Sequence, residues 1–292
     1  MTGRLVRCPA KVNVGLRVLG RRPDGFHEIV TLFQAIDLWD ELRAEPDVAL
    51  TLSVEGEAAP SDASNLVLRA ARSLLARAGA DAARGARLHL VKRIPAGAGL
   101  GGGSSDAAGA LLLLSRLWGL RTDEGVLAGI AAELGSDVPF FLSGGTALGT
   151  GRGERIRPLT PISERALVLG HPPLPLPTPR VYEALQAPLT PADDGVTVSR
   201  LFVKLAEGND FALARNDLEA AAFAMIPALA GFRDALVRSG AEVALLSGSG
   251  STVFGMFRAG TDLTSIAAGL QSAFPGWRVR TSRTIASGVV AG

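Results

Sequence analysis

Pro95-Ala96-Gly97-Ala98-Gly99-Leu100-Gly101-Gly102-Gly103-Ser104-Ser105-Asp106 decides how this chain is read. Glycine fills five of the seven positions from Gly97 to Gly103. Ahead of them, Ala86–Val91 alternates apolar and polar residues and is expected as a strand. Behind them, Ala107, Ala110, Leu111, Leu114, Leu117 and Trp118 recur at helical spacing until Gly119. Glycine lacks a Cβ, so such a loop can wrap a ligand closely with its N–H groups turned inward. A helix starting just beyond adds unpaired N–H groups and the positive end of its dipole. The combination is expected to bind an anion, above all a nucleotide phosphate. Ser104, Ser105 and Asp106 are placed in the cap and first turn, where a hydroxyl serves as a cap or meets phosphate or Mg²⁺.

Three familiar glycine loops do not fit. Gly97-Ala98-Gly99-Leu100-Gly101-Gly102 matches the dinucleotide fingerprint letter for letter, but its helix is followed by a second helix instead of a strand ending in an acidic residue. A Walker A loop needs Gly-Lys-Ser/Thr, and no lysine lies between Arg93 and Asp137. The His-Arg-Asp and Asp-Phe-Gly tripeptides of protein kinases do not occur.

Outward from the loop, Arg4–Leu19 alternates as a strand interrupted at Pro9, which puts Lys11 and Asn13 on one face. Arg21–Gly25 is a turn, and Ile29–Leu38 and Val48–Val54 read as strands. Ser61–Asn65 has helix-capping character ahead of a helix to about Ala78. A helix over Asp123–Leu134 ends at Gly135, and Pro139 sets a sharp break beside Asp137. Gly144–Gly153 is expected to contain a strand. Ala166–Gly170 is a short buried strand, His171–Pro177 is extended, and Thr178-Pro179 reads as N-cap and first helical residue. A loop is expected over Ala187–Val196. Helices follow over Val198–Glu207, Asn216–Met225 and Pro227–Ser239. Strand Glu242–Leu246, turn Ser247–Ser251, strand Val253–Phe257, helix Leu263–Phe274 and strand Trp277–Thr284 suggest half of a ferredoxin-like sandwich.

The 292 residues suggest two domains, and 47% of them are hydrophobic, ample for a core. Thirty basic and 28 acidic residues leave a net charge of +2, with no basic block of the kind that binds nucleic acid. The single cysteine, Cys8, excludes an internal disulfide and reads as a buried thiol. The three histidines lack metal-ligand spacing. No signal core and no membrane-length apolar run are present, so a soluble cytoplasmic protein is expected, without nucleic-acid, membrane or obligate protein partners.

Pro9-Ala10-Lys11-Val12-Asn13-Val14, Pro95–Ser105 and Leu246-Ser247-Gly248-Ser249-Gly250-Ser251 together resemble the three motifs of the GHMP small-molecule kinases. Three further stretches resemble one branch of that family, whose acceptor is a polyol carrying a cytidine diphosphate group in the non-mevalonate isoprenoid route. They are Arg22-Pro23-Asp24-Gly25-Phe26-His27, Gly135-Ser136-Asp137-Val138-Pro139-Phe140-Phe141 and Pro175-Leu176-Pro177-Thr178-Pro179.

The resemblance implies an α+β, two-domain GHMP kinase fold with the active site in the cleft between the domains. Residues 1–158 would form a domain like ribosomal protein S5 domain 2, and 159–292 a ferredoxin-like one. It implies ATP with Mg²⁺, and transfer of the γ-phosphoryl to the 2-hydroxyl of the polyol. Pro95 to Ser105 would wrap the phosphates, with Asn65 and Lys92 on the adenine side and the metal ligands unassigned. Asp137 would be the catalytic aspartate, and Lys11 the lysine beside it. Asn13, Phe26, His27, Thr178 and Tyr182 would line the acceptor pocket, with His27 reading the base edge and Phe26 and Tyr182 sandwiching the ring. Phe26 stands where the family more often has tyrosine, and Ala98 where it often has glycine. The alternatives are another GHMP kinase of the homoserine or mevalonate type, and a nucleotide-binding module without catalysis.

Overall fold

The computed structural model describes residues 4–77, 84–120, 122–185, 195–208, 211 and 214–291. Two sheets organise the chain. The first holds seven strands: β1 (Arg4–Arg21), β2 (His27–Asp47), β3 (Leu50–Gly56), β4 (Gly85–Lys92), β5 (Thr146–Gly151), β6 (Arg155–Leu159) and β11 (Val290–Ala291). Its order is β11-β1-β2-β4-β3, and β5 pairs with the first half of β2 and with β6. All pairs are antiparallel except β3 with β4.

β1 does not stop at Pro9. It runs through that residue with a register shift, Pro9 opposite Trp39 and Ala10 opposite Ile36, so a bulge absorbs the missing N–H. β2 is longer than its apolar run because its second half alternates: Asp40, Leu42 and Ala44 face inward, while Arg43 and Glu45 face water.

On this sheet lie α1 (Leu66–Arg77), α2 (Gly102–Leu117), α3 (Glu124–Leu134) and α4 (Val138–Ser143). α2 is the central one, packed across β1 and β2 and against α1 and α4. Its Ala/Leu face closes a core with Leu42, Leu74, Leu88 and Phe140. Cys8 is fully buried in that core, and burial followed by the charges of Asp106 and Asp40 raises its thiol pKa.

The second sheet is antiparallel, ordered β10 (Arg278–Arg283), β7 (Arg165–His171), β9 (Val253–Arg258), β8 (Val243–Leu246). Numbered along this half of the chain, that is order 4-1-3-2. With α8 (Ala228–Arg238) before β8 and α9 (Thr264–Ala273) before β10, the connectivity is the βαββαβ of a ferredoxin-like sandwich. α5 (Thr178–Glu183), α6 (Gly195–Gly208) and α7 (Glu219–Met225) precede α8. α6 begins three residues before its apolar pattern does, and the loop expected over Ala187–Val196 lies outside the described residues as far as 194.

A second apolar cluster joins the halves. Val12, Val14 and Leu32 of the first sheet meet Leu167, Phe254 and Met256 of the second, with Phe202 and Leu205 of α6 alongside. The tail returns to the first sheet as well: β11 pairs with Val6 and Arg7, and Thr284 bridges to Ile36. Among the described residues no single helix is long and apolar enough to cross a membrane.

Candidate active site

The glycine loop is tied down through its carbonyl groups. Lys11 N donates to Leu100 O at 3.0 Å, Thr252 N to Ala98 O at 3.1 Å, and Ser247 Oγ to Gly99 O at 2.9 Å. The glycine loop is therefore fastened to Lys11 of the first motif on one side and to the Ser247–Ser251 turn on the other. Gly99 (φ 77°) must be glycine, because a Cβ there would collide with Ser247 O. Ala98 is buried in the cluster between the sheets, where its methyl adds apolar contact.

α2 begins at Gly102, earlier than the serines suggest. Gly101 is its N-cap in the left-handed region (φ 72°) with no side-chain cap. Ser104 and Ser105 thus follow the first helical residues, and the N–H groups of Gly102, Gly103 and Ser104 stand at the positive end without intrahelical acceptors. An anion at this end would supply what no side chain does.

Lys11 and Asn13 project together from β1, as their spacing requires. Lys11 Nζ donates to Asn13 Oδ1 at 2.6 Å, Asn13 Nδ2 to Thr31 Oγ1 at 2.7 Å, and Thr31 Oγ1 to Gly15 O at 2.8 Å. This relay fixes which way the Asn13 amide points. All three side chains are buried, and Lys11 Nζ lies 3.2 Å from Asp137 Oδ2. Asp137 is the N-cap residue of α4, yet its carboxylate makes no capping bond. The bland capping role is therefore absent, and the side chain stays partly exposed toward the lysine. Pro139 does not break the helix. It sits in the first turn of α4, where its missing N–H has no partner to lose.

A cavity of about 860 Å³ collects Lys11, Asn13, Asp137 and Gly101 together with Phe26, His27, Thr178, Tyr182 and Gly248. Its lining comes from both halves of the chain. The His27 and Tyr182 rings stack, with centroids 4.8 Å apart and planes 24° apart. Burial, and then the charge of Arg21, lowers the His27 pKa, which keeps the imidazole neutral. Burial, and then Asp137, raises the Tyr182 phenol pKa. Thr178 is already helical rather than a cap, with Pro177 as N-cap, and its hydroxyl pairs with Ser249 Oγ at 2.7 Å. Phe26 does not face Tyr182 across a ready slot. It is 52% exposed, and the Arg152 guanidinium covers its ring at 4.7 Å.

Residues 65–145 match the model of the GHMP kinases N terminal domain, and residues 201–276 that of the GHMP kinases C terminal. The 4-diphosphocytidyl-2-C-methyl-D-erythritol kinase of Pelotomaculum thermopropionicum is 44% identical over 250 residues, covering 85% of this chain and 86% of its own. The kinase of the same name from Streptomyces avermitilis is 45% identical over 260 residues, covering 85% of each. A crystal structure of 4-(cytidine 5'-diphospho)-2C-methyl-D-erythritol kinase superposes with a TM-score of 0.77 at 38% identity, over 96% of this chain and 98% of that one. The chain belongs to the GHMP kinases, in the 4-diphosphocytidyl-2-C-methyl-D-erythritol kinase family. Homoserine kinase from Cytophaga hutchinsonii has a TM-score of 0.79 at 21% identity, over 100% of this chain and 98% of that one, and shares the fold.

As a GHMP kinase the chain is an ATP-dependent small-molecule kinase, and the side chains of the two residues expected at its adenine side are both engaged within the protein. Lys92 is a correction. Its ammonium is buried between Asp40 and Asp106, 2.7 Å from Asp106 Oδ2, and is not available to a base. Burial would lower its pKa, but Asp106 and Asp40 more than offset that and raise it. Asp40 Oδ1 also accepts from Ile94 N at 2.9 Å and from Arg93 N at 2.5 Å, so the triad anchors the strand end that leads into the loop. Asn65 acts as a cap: Oδ1 accepts from Val67 N at 2.9 Å and Nδ2 donates to Pro60 O at 2.6 Å.

Asn216 escaped sequence reading. Buried, it donates to Leu246 O at 2.9 Å and Gly248 O at 2.7 Å, and accepts from Leu218 N, which holds the Ser247–Ser251 turn of the kinase against Gly99. No local pattern marks it, since its acceptors lie about thirty residues away in the sequence.

Proposed function

We propose that this kinase transfers the γ-phosphoryl of ATP to the 2-hydroxyl of 4-diphosphocytidyl-2-C-methyl-D-erythritol. The observation that carries this reading is one cavity holding both the Lys11–Asp137 pair and the His27–Tyr182 rings. An acceptor with a reacting hydroxyl at one end and a base at the other fits both. Homoserine or mevalonate would leave the rings without a partner. A module without catalysis would have no use for a carboxylate held beside a buried ammonium.

Phosphoryl transfer needs placement and charge stabilisation more than covalent help. Asp137 orients the acceptor hydroxyl and takes its proton as oxygen bonds to the γ-phosphorus and ADP leaves. Lys11, held by Asn13, keeps Asp137 ionised and steadies charge at the reacting oxygen. Gly97 to Ser104 and the first turn of α2 receive the phosphates. Neutral His27 has one donor and one acceptor nitrogen with which to read a base edge.

Mg²⁺ bound to ATP would offset triphosphate charge. Among the described residues no three His, Cys, Asp or Glu side chains cluster as metal ligands, and Ser105 Oγ is fully buried without a hydrogen-bond partner. This donor set fits an ion carried in on the phosphates rather than one held by the protein alone.

ADP release measured with the cytidyl acceptor, homoserine and mevalonate in parallel tests the reading. Release with the cytidyl acceptor alone is expected, and release with either other substrate at a comparable kcat/KM would overturn it.

A further inference from the structure

Two arginines line the active-site cavity without an ionic partner. The charged side chains on its wall are Lys11, Arg21, Arg152, Asp137 and Glu183. Lys11 is matched to Asp137. Among the described residues neither Arg21 nor Arg152 has a carboxylate within ion-pair distance, although Arg22, one position on, has two, Asp24 and Glu28. A guanidinium left unpaired on a cavity wall keeps its five N–H donors free for an anion that enters.

Arg152 occupies the tip of the turn between β5 and β6. Gly151 (φ 74°) and Gly153 (φ 105°) flank it, and Arg152 N donates to Glu154 Oε2 at 2.6 Å. The register of β5 on β2 sets Gly151 opposite Ile29, two residues past His27. The turn is thereby fixed between the two ends of the proposed acceptor. On one side the Arg152 guanidinium lies 4.7 Å from the centre of the Phe26 ring, next to His27. On the other, the Cβ direction of Gly153 ends 3.9 Å from Asp137 Oδ1. Arg21 pairs with His27 across β1 and β2, so the second guanidinium rises from the same strand end.

We propose that Arg152, supported by Arg21, is the subsite for the diphosphate that joins the base of the acceptor to its polyol. The inference rests on the acceptor proposed above. That acceptor must span from the His27–Tyr182 rings to Asp137, and its two phosphates fall in between, where these guanidinium groups stand. A planar fork suits a phosphate's paired oxygens, and its flat face can stay on Phe26 while its edge bonds the anion. Phe26 is then the platform that orients Arg152. This role needs an aromatic face and no hydroxyl, which agrees with phenylalanine at this position.

The test is calorimetric titration of the whole chain with cytidine, cytidine diphosphate and uridine diphosphate. A non-hydrolysable ATP analogue fills the ATP site throughout. Wild type, Arg152→Gln and Arg152→Lys are compared, with thermal melts confirming that each variant is folded. Wild type should prefer cytidine diphosphate to cytidine. Arg152→Gln should lose about tenfold to a hundredfold of affinity for the diphosphate, the range for removing a charge-assisted hydrogen bond. Its affinity for cytidine should change by less than about threefold, and Arg152→Lys should recover part of the loss. A diphosphate preference unchanged in Arg152→Gln would overturn the subsite while leaving the substrate standing. Wild type binding uridine diphosphate as well as cytidine diphosphate would instead overturn the substrate, and the subsite with it.

Discussion

Lys11 Nζ and Asp137 Oδ2 lie 3.2 Å apart, the lysine in the middle of β1 and the aspartate at the mouth of α4. Nothing local demands the contact. Asp137 forms no capping bond at its own helix, and Lys11 is buried with its ammonium steered by Asn13. A buried ammonium and a partly exposed carboxylate brought together at the end of a glycine loop are arranged for chemistry on a ligand rather than for the stability of either element.

Asp137→Asn keeps the shape and removes the base. The expected loss in kcat is about a thousandfold, within the range for deleting a positioned general base. ATP affinity should stay within about threefold. Steady-state rates with an ATP titration check both, and a kcat within tenfold of wild type would refute the role.

Asn13→Ala cuts the relay between Lys11 and Thr31 without touching either charge. Hydrogen bonds to charged groups contribute about 1.5–3 kcal/mol, so a fall in kcat of about tenfold to a hundredfold is expected. The melting temperature should move little by comparison. An unchanged kcat would show that Lys11 is held by Asp137 alone.

His27→Ala should raise the KM of the cytidyl acceptor at least about tenfold, as expected when a buried base loses its hydrogen-bond reader. The KM of ATP should change by less than about threefold. In the wild type, burial and Arg21 lower the His27 pKa. Acceptor affinity should therefore be flat above pH of about 7 and should weaken only below the ordinary histidine value of about 6.5, as the imidazole charges. A KM–pH profile that weakens as pH rises through neutrality would contradict a neutral reader.

Lys92→Met leaves Asp40 and Asp106 buried together without their cation. The expected cost is about 3–5 kcal/mol, the range for breaking a buried pair. Asp106→Asn should cost much less, since burial has already pushed the Asp106 pKa up to about 8. That shift fixes a sign. The folded state holds a proton that the unfolded chain releases near 3.8, so this group's stabilisation is full below that value and is lost as pH rises to about 8. Asp106→Asn should flatten that slope in denaturant titrations at several pH values, and an unaltered slope would remove Asp106 as its source.

Much of this architecture was legible because it is written in short-range pattern. The glycine run, the apolar stripe of α2 and the β-turn-β-α-β ending need only neighbouring residues to be recognised. Lys11 and Asn13 were placed on one face by the two-residue repeat of a strand. What stayed hidden depends on distant partners. Lys92 read as a nucleotide contact because its carboxylates are out of local view, Asp40 being fifty-two positions away. Asn216 read as the start of a helix, while its amide fastens a turn thirty positions on. The strand expected over Ile29–Leu38 runs on to Asp47, where Asp40, Leu42 and Ala44 form the buried side of an alternating stretch. The base sandwich expected of Phe26 and Tyr182 is not preformed, because His27 lies on one ring and Arg152 on the other.

The most direct test of the whole account is phosphorus NMR of the protein with Mg·ATP and 4-diphosphocytidyl-2-C-methyl-D-erythritol, with homoserine and mevalonate in separate tubes. A new phosphomonoester resonance is expected alongside ADP in the first tube only, without three-bond phosphorus–proton coupling because the carbon bearing the 2-hydroxyl carries no hydrogen. A phosphomonoester formed from homoserine or mevalonate, or none from the cytidyl acceptor while ATP still binds, would contradict the assignment of the substrate.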